Sequence, residues 1–142
     1  MREPTTWQGR AVCRVLIVED DLAIASLIAD ALESEIGVTT TMLHNGAEAI
    51  RFLAQQQVDM VVLDYQLPGA NGIQVCDAMQ QIPHMHDVPV LFVTANAERA
   101  DFQSRHLRYI RKPFDLTNFL DTVEHCLQQG QANHLAVVRP HA

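Results

Sequence analysis

Six side chains able to hold a cation or handle a phosphoryl group stand at the ends of four short apolar runs. Val15-Leu16-Ile17-Val18 stops at Glu19-Asp20-Asp21, Met60-Val61-Val62-Leu63 at Asp64, Val90-Leu91-Phe92-Val93 at Thr94, and Tyr109-Ile110-Arg111 at Lys112. Carboxylates gathered at one place repel one another unless a cation binds between them. Oxygen donors without His or Cys select a hard ion such as Mg²⁺, which keeps several waters and needs only one or two protein carboxylates. A cation so held can clamp an incoming phosphoryl group, and one carboxylate can then act as the nucleophile that forms an acyl phosphate. Asp64 is the best placed, because its run lies between the acidic pair and Thr94. Other metal chemistry has no support: Cys13, Cys76 and Cys126 lack ligand spacing, His84 and His86 share a loop without further N or S ligands, and His125 reads as a helix-face residue.

These residues act together only if the runs are adjacent strands. Short runs rich in β-branched residues, separated by helix-length segments, read as buried strands of a parallel sheet. After the first, Leu22, Ala25, Leu27, Ile28, Ala31 and Leu32 recur at helical spacing as far as Gly37, with Asp21 suited to cap the helix. Val38 to Leu43 is a threonine-rich strand polar enough for a sheet edge. Asn45 is a plausible cap for a second helix carrying Ala47, Ala49, Ile50, Leu53 and Ala54. Leu67-Pro68-Gly69-Ala70-Asn71-Gly72 is turn-forming and leads to a third helix with Ile73, Val75, Cys76 and Met79. Pro83 and Pro89 bracket a loop, Ala97 to about Arg105 is a short fourth helix, and the last helix carries Leu116, Phe119, Leu120, Val123 and Leu127 until Gly130. The fold expected is α/β: a doubly wound, five-stranded parallel sheet of (βα)₅ type, flavodoxin-like, with strand order 2-1-3-4-5 and helices on both faces. In such a sheet ligands bind beyond the carboxyl ends of the strands, where Glu19, Asp20 and Asp64 would lie side by side.

A length of 142 residues with 48% hydrophobic content suits one folded domain. A net charge of -7 argues against direct binding to nucleic acid or to an anionic membrane, both polyanions. No stretch is long enough to cross a bilayer, no signal peptide opens the chain, and the odd cysteine count suits a reducing compartment, so a cytoplasmic location is expected. Residues 1–12 read as a flexible N-terminal arm in which Trp7 is either loose or a contact residue, residues 13–130 as the domain, and residues 131–142 as a C-terminal tail or linker.

Together these four motifs, in this order, resemble the receiver domains of two-component response regulators, a family of CheY-like phosphorelay proteins. The likeness covers nearly all of residues 14 to 129. It implies that Asp64, in Val62-Leu63-Asp64-Tyr65-Gln66-Leu67-Pro68-Gly69, is the phosphoacceptor. It further implies that Asp20 ligates Mg²⁺ directly, that Glu19 acts through water, and that the backbone carbonyl of Gln66 is a third protein ligand. Thr94 resembles the family's switch hydroxyl, and Lys112-Pro113-Phe114 its lysine-proline motif, with an ammonium that pairs with the phosphoryl group and a cis peptide before proline. Tyr109 matches the switch aromatic, which turns inward as the threonine moves toward the phosphate. Lys112 is the one lysine in a chain with nine arginines, and a compact ammonium suits a site shared with an ion and a phosphoryl group better than a wide guanidinium fork.

The resemblance implies a partner sensor histidine kinase or histidine phosphotransfer protein, and a protein that is not an enzyme, catalysing only its own phosphorylation and dephosphorylation. Output would pass through the surface of helix 4, strand 5 and helix 5 to a downstream target or an effector domain, from a monomer or a phosphorylation-dependent dimer. Between Thr94 and Lys112 the segment is shorter than the family norm by about one helical turn, and Ser104-Arg105-His106-Leu107-Arg108 replaces the usual glycine-alanine-acidic turn. A shortened helix 4 region is therefore expected, with a private output surface. Gln66 and Asn96 occupy positions that tune water access to the acyl phosphate. Two rivals are weaker. A phosphorylation-independent interaction module would be expected to lose one of the key residues, and all are present. A phosphohydrolase on a similar sheet would carry an aspartate at Gln66 as acid/base. No GxxxxGK[ST] loop supports nucleotide binding.

Overall fold

In the computed structural model residues 12–95 and 107–135 are described, with side chains as far as residue 129. The chain forms β1 (Arg14–Val18), α1 (Leu22–Ala31), a π-helical turn (Leu32–Ile36), β2 (Thr39–Leu43), α2 (Gly46–Gln55), β3 (Met60–Leu63), α3 (Gly72–Gln80), a 3-10 turn (Pro83–Met85), β4 (Val90–Thr94), β5 (Arg108–Arg111) and a C-terminal helix (Leu116–Leu135). All strand pairs are parallel, and the sheet order is β2-β1-β3-β4-β5, as the runs and their spacing led one to expect.

The two-residue period of the strands sorts the core into two layers. Val15, Ile17, Met60, Val62, Leu91, Val93 and Ile110 point to one face, where Ala25, Ile28, Leu32, Phe119, Val123 and Leu127 of α1, the π turn and the C-terminal helix cover them. Leu16, Val18, Val61, Leu63 and Phe92 point to the other, beneath Ala49, Leu53, Ile73, Val75 and Met79 of α2 and α3. Helices on both faces explain why the runs are apolar throughout rather than alternating. The edge position of β2 likewise explains its threonines, half-buried or exposed.

Local signals set the helix starts. The carboxylate of Asp21 accepts from Ile24 N at 3.1 Å, Asn45 Oδ1 accepts from Ala47 N at 2.8 Å and Glu48 N at 3.2 Å, and Asn71 with Gln74 forms a reciprocal capping box. Gly37, at φ 84°, ends the first helical segment with its N–H on the carbonyl of Leu32.

Two expectations fail. Gly130 does not end the last helix, which continues to Leu135. One glycine costs a helix only about 1 kcal/mol relative to alanine, and its neighbours Gln128, Gln129, Gln131 and Ala132 favour helix strongly enough to carry the chain across it. Leu22 and Leu27 belong to the apolar pattern of α1 yet are 63% and 51% exposed, because α1 is apolar nearly all round and only one side of it meets the sheet. The short fourth helix at 97–105, Asn96, and the arm with Trp7 lie outside the described residues. Among those described, no helix is long and apolar enough to cross a membrane.

Candidate functional site

Glu19, Asp64 and Lys112 each stand two residues beyond a core residue of the same sheet face: Ile17, Val62 and Ile110. The strand period therefore sends the three side chains to one side of the sheet. Backbone bonds extend the ladder past the strand ends and hold them there: Glu19 N donates to Leu43 O at 3.0 Å, Asp64 N to Val18 O at 3.0 Å, and Lys112 N to Thr94 O at 2.9 Å. Leu63, Phe92 and Tyr109 share one row of the sheet, so Lys112 starts two levels above Asp64. That is about 6–7 Å along the strands and about 9–10 Å across them, a gap that the lysine stem and the Asp64 side chain close together. Its ammonium turns back to donate to Glu19 Oε1 at 2.7 Å and to Asp64 Oδ2 at 3.2 Å.

The carboxylates are close. Glu19, Asp20 and Asp64 each offer an oxygen lying within 4.8 Å of the other two. Glu19 and Asp64 are buried, at 2% and 8% exposure, whereas Asp20 faces solvent. Both oxygens of Glu19 are engaged, Oε1 by Lys112 and Oε2 by the N–H of Asp21 at 3.1 Å. Burial pushes the pKa of Glu19 above its ordinary value, against the pull of its bonds to Lys112 and Asp21, and the charge of Asp64 adds to the push. Burial also disfavours the charged form of Lys112, but the hydrogen bond to Glu19 and the charges of Asp64 and Glu19 outweigh it, and its pKa is raised. Three carboxylates against one ammonium leave the cluster two charges negative. An oxygen-only, doubly negative site open to solvent at Asp20 fits a hard divalent cation.

Thr94 is buried at 1% exposure at the end of β4, and Tyr109 on β5 is 38% exposed. Gln66 lies exposed in the loop two residues past Asp64. The Lys112–Pro113 peptide is cis. Beside Lys112 an apolar groove of about 450 Å³ runs between Ile24 and Leu27 of α1 and Ala95, Pro113, Phe114 and Leu116. His84 and His86 make structural bonds: His84 Nε2 donates to Leu53 O at 3.0 Å and His86 Nε2 to Gln80 O at 2.8 Å, both near helix C-termini. One contact escaped the sequence reading, a 2.8 Å hydrogen bond from His44 Nδ1 to the backbone carbonyl of Glu19. Only its place at the end of β2 hints at it.

Residues 15–124 match the family model described as the response regulator receiver domain. The chain belongs to that family. This receiver domain is 30% identical over 130 residues to the heme response regulator HssR of Staphylococcus haemolyticus, covering 89% of the chain and 56% of that protein. It is 33% identical over 105 residues to the DNA-binding response regulator MtrA of Mycobacterium tuberculosis, covering 71% of the chain and 44% of that protein. The chain thus spans about half the length of the curated relatives it matches. Among solved structures it resembles the receiver domain of a sensor histidine kinase from Pseudomonas aeruginosa with a magnesium ion coordinated in the active site cleft (TM-score 0.74, 25% identity, covering 82% of this chain and 98% of that one). It also resembles response regulator TrrA of Thermotoga maritima in complex with Mg²⁺ and BeF (TM-score 0.71, 26% identity, covering 81% and 99%).

Proposed function

We propose that this receiver domain accepts a phosphoryl group on Asp64 from the phosphohistidine of a sensor histidine kinase or phosphotransfer protein. The observation that carries the reading is the ammonium of Lys112 held between Glu19 and Asp64 inside a carboxylate cluster that retains two negative charges. A carboxylate oxygen of Asp64 forms a bond to phosphorus as the donor's P–N bond breaks, and the departing imidazole nitrogen takes a proton from solvent. Lys112 is within reach to meet the charge on the transferred oxygens, and the hydroxyl of Thr94 donates to one of them. Asp20 and Asp64, with the Gln66 carbonyl and with Glu19 through water, would hold Mg²⁺, which would supply charge neutralisation on the phosphoryl oxygens. The Mg²⁺-bound relatives from P. aeruginosa and T. maritima support that assignment.

The domain is not an enzyme toward other molecules; it promotes only its own phosphorylation and the hydrolysis of its own acyl phosphate by water. The signal leaves through the surface around Tyr109, whose exposed ring turns inward as Thr94 engages the phosphoryl group. It passes to a target protein or an effector domain, in a monomer or a phosphorylation-dependent dimer, in the cytoplasm and without direct contact between this domain and nucleic acid. The groove beside Lys112, with the exposed Leu27 in its lining, seats the histidine-bearing donor, because it is continuous with the acceptor site.

Incubation with Mg²⁺ and acetyl phosphate followed by intact mass spectrometry tests the chemistry. A gain of one phosphoryl group in the wild type, absent in Asp64→Ala and after chelation, is expected. No gain, or an undiminished gain in Asp64→Ala, overturns the reading.

A further inference from the structure

The chain between β2 and α2, Leu43 to Gly46, touches both halves of the cation site. On one side it grips the Glu19 peptide twice: Leu43 O accepts from Glu19 N at 3.0 Å, and His44 Nδ1 donates to Glu19 O at 2.8 Å. On the other side it holds the loop that follows Asp64. Gly46 N donates to Pro68 O at 2.8 Å, and a side chain at Gly46 would collide with the backbone carbonyl of Ala70. Next to it, the amide of Asn45, fixed by capping α2, lies against Gly69, whose φ of 84° already favours glycine. The far end of the same loop closes onto the phosphoacceptor. Gly72 N donates to Tyr65 O at 2.8 Å, and a Cβ at Gly72 would come within 2.6 Å of Asp64 O.

Glu19 and Asp64 already sit on neighbouring strands, so the ladder sets their lateral spacing. It does not set the path of the chain beyond them, where Asp20 and Gln66 lie. Both of those positions are exposed and outside the strands. We propose that Leu43–Gly46 is a positioning element for the cation site, with His44 and Gly46 as its two contacts: His44 fixes the peptide from which Asp20 departs, and Gly46 fixes the loop that bears Gln66. Neither residue touches the ion. Their effect on it is to preset the separation of the two ligand-bearing segments, so that binding does not have to order them. The proposal rests on the Mg²⁺ reading above.

Calorimetric titration of the full chain with MgCl₂, alongside thermal melts in EDTA, tests it in wild type, His44→Ala, His44→Asn, Gly46→Ala and His84→Ala. His44→Ala is expected to weaken Mg²⁺ binding about ten-fold, the scale on which groups behind metal ligands act. Gly46→Ala is expected to do the same by displacing Ala70. His44→Asn, which keeps an N–H donor near the Nδ1 position, should stay within about two-fold of wild type on that scale. His84→Ala also loses a single histidine-to-backbone bond, but at the far end of α2. It should lower the melting temperature and leave Mg²⁺ affinity unchanged, separating positioning from stability. If Gly46→Ala does not fold, the contrast between His44→Ala and His44→Asn decides. Variants that bind Mg²⁺ as wild type does, or a loss in His44→Ala no larger than in His84→Ala, overturn the inference alone. A wild type that binds no Mg²⁺ overturns the metal reading beneath it.

Discussion

The ammonium of Lys112 lies 2.7 Å from Glu19 Oε1, across 93 residues of sequence, and is nearer to that buried carboxylate than to Asp64. Lys112 is thus a counter-ion of the acidic cluster, in addition to its proposed contact with a phosphoryl group. Removing it leaves three carboxylates facing one another with no cation.

Lys112→Met should therefore destabilise the metal-free protein by roughly 1–3 kcal/mol, and Mg²⁺ should restore much of the loss. Chemical denaturation with EDTA and with saturating MgCl₂ measures both. The same variant should phosphorylate at least about ten-fold more slowly with acetyl phosphate, because the transferred oxygens lose a charge-assisted donor. Equal stability of variant and wild type in EDTA would remove Lys112 from the counter-ion role.

The raised pKa of Lys112 makes its contribution pH-dependent in a defined direction. A cation whose folded pKa exceeds its ordinary value of 10.5 lends its full linked stability below that value. The contribution disappears as pH rises through the higher folded value. The difference in melting temperature between wild type and Lys112→Met, measured in EDTA, should be steady through neutral pH and shrink above about pH 10.5. A difference that grows there would contradict the assignment.

Thr94→Val keeps the volume of a buried side chain and removes its hydroxyl. Phosphorylation of Asp64 should survive, slowed by roughly ten- to a hundred-fold, the weight of one lost hydrogen bond to a charged group. The movement of Tyr109 should be lost. NMR of fluorotyrosine-labelled protein, with and without acetyl phosphate, reads that ring directly. A Tyr109 signal that shifts in Thr94→Val as it does in wild type would uncouple the two residues.

Docking and chemistry separate at Leu27, 51% exposed on α1 and part of the apolar groove beside Lys112. Leu27→Glu puts a charge where an apolar donor surface would lie. It should slow transfer from a phosphorylated histidine protein by about ten-fold or more, the effect of roughly 1.4 kcal/mol at an interface. Transfer from acetyl phosphate should stay unchanged. Equal slowing of both donors would place Leu27 in the chemical step instead of the docking surface.

Gly130 sits inside the C-terminal helix. Gly130→Ala should raise stability by about 0.5–1 kcal/mol, since alanine loses less backbone entropy in a helix. A lower melting temperature would mean that the helix does not pass through that residue in solution.

Much of the molecule is legible in the sequence because its signals are local. The β-branched runs that end at Glu19, Asp64, Thr94 and Lys112 marked the strands and the side-chain types at their ends, since a strand's period and its terminal residue are both properties of a few consecutive positions. Asp21, Asn45 and the turn at Pro68–Gly72 marked helix starts for the same reason. Where competition mattered, the sequence misled. Gly130 carries a stop signal that stronger helix formers around it override, and the apolar spacing of α1 does not say which of its leucines meets the sheet.

By itself, then, the sequence determined the order of elements, the fold family and the types of side chain brought to the carboxyl edge of the sheet, because each is written in spacing along one stretch of chain. The tertiary structure decided how those side chains pair. It put the lone lysine on Glu19 as well as on Asp64, left Leu27 bare in the groove beside Lys112, and packed Gly46 against Ala70 with no room for a side chain. Such contacts join residues far apart in the chain. They depend on the stagger of neighbouring strands and on how closely two backbones approach, and no window of sequence contains either.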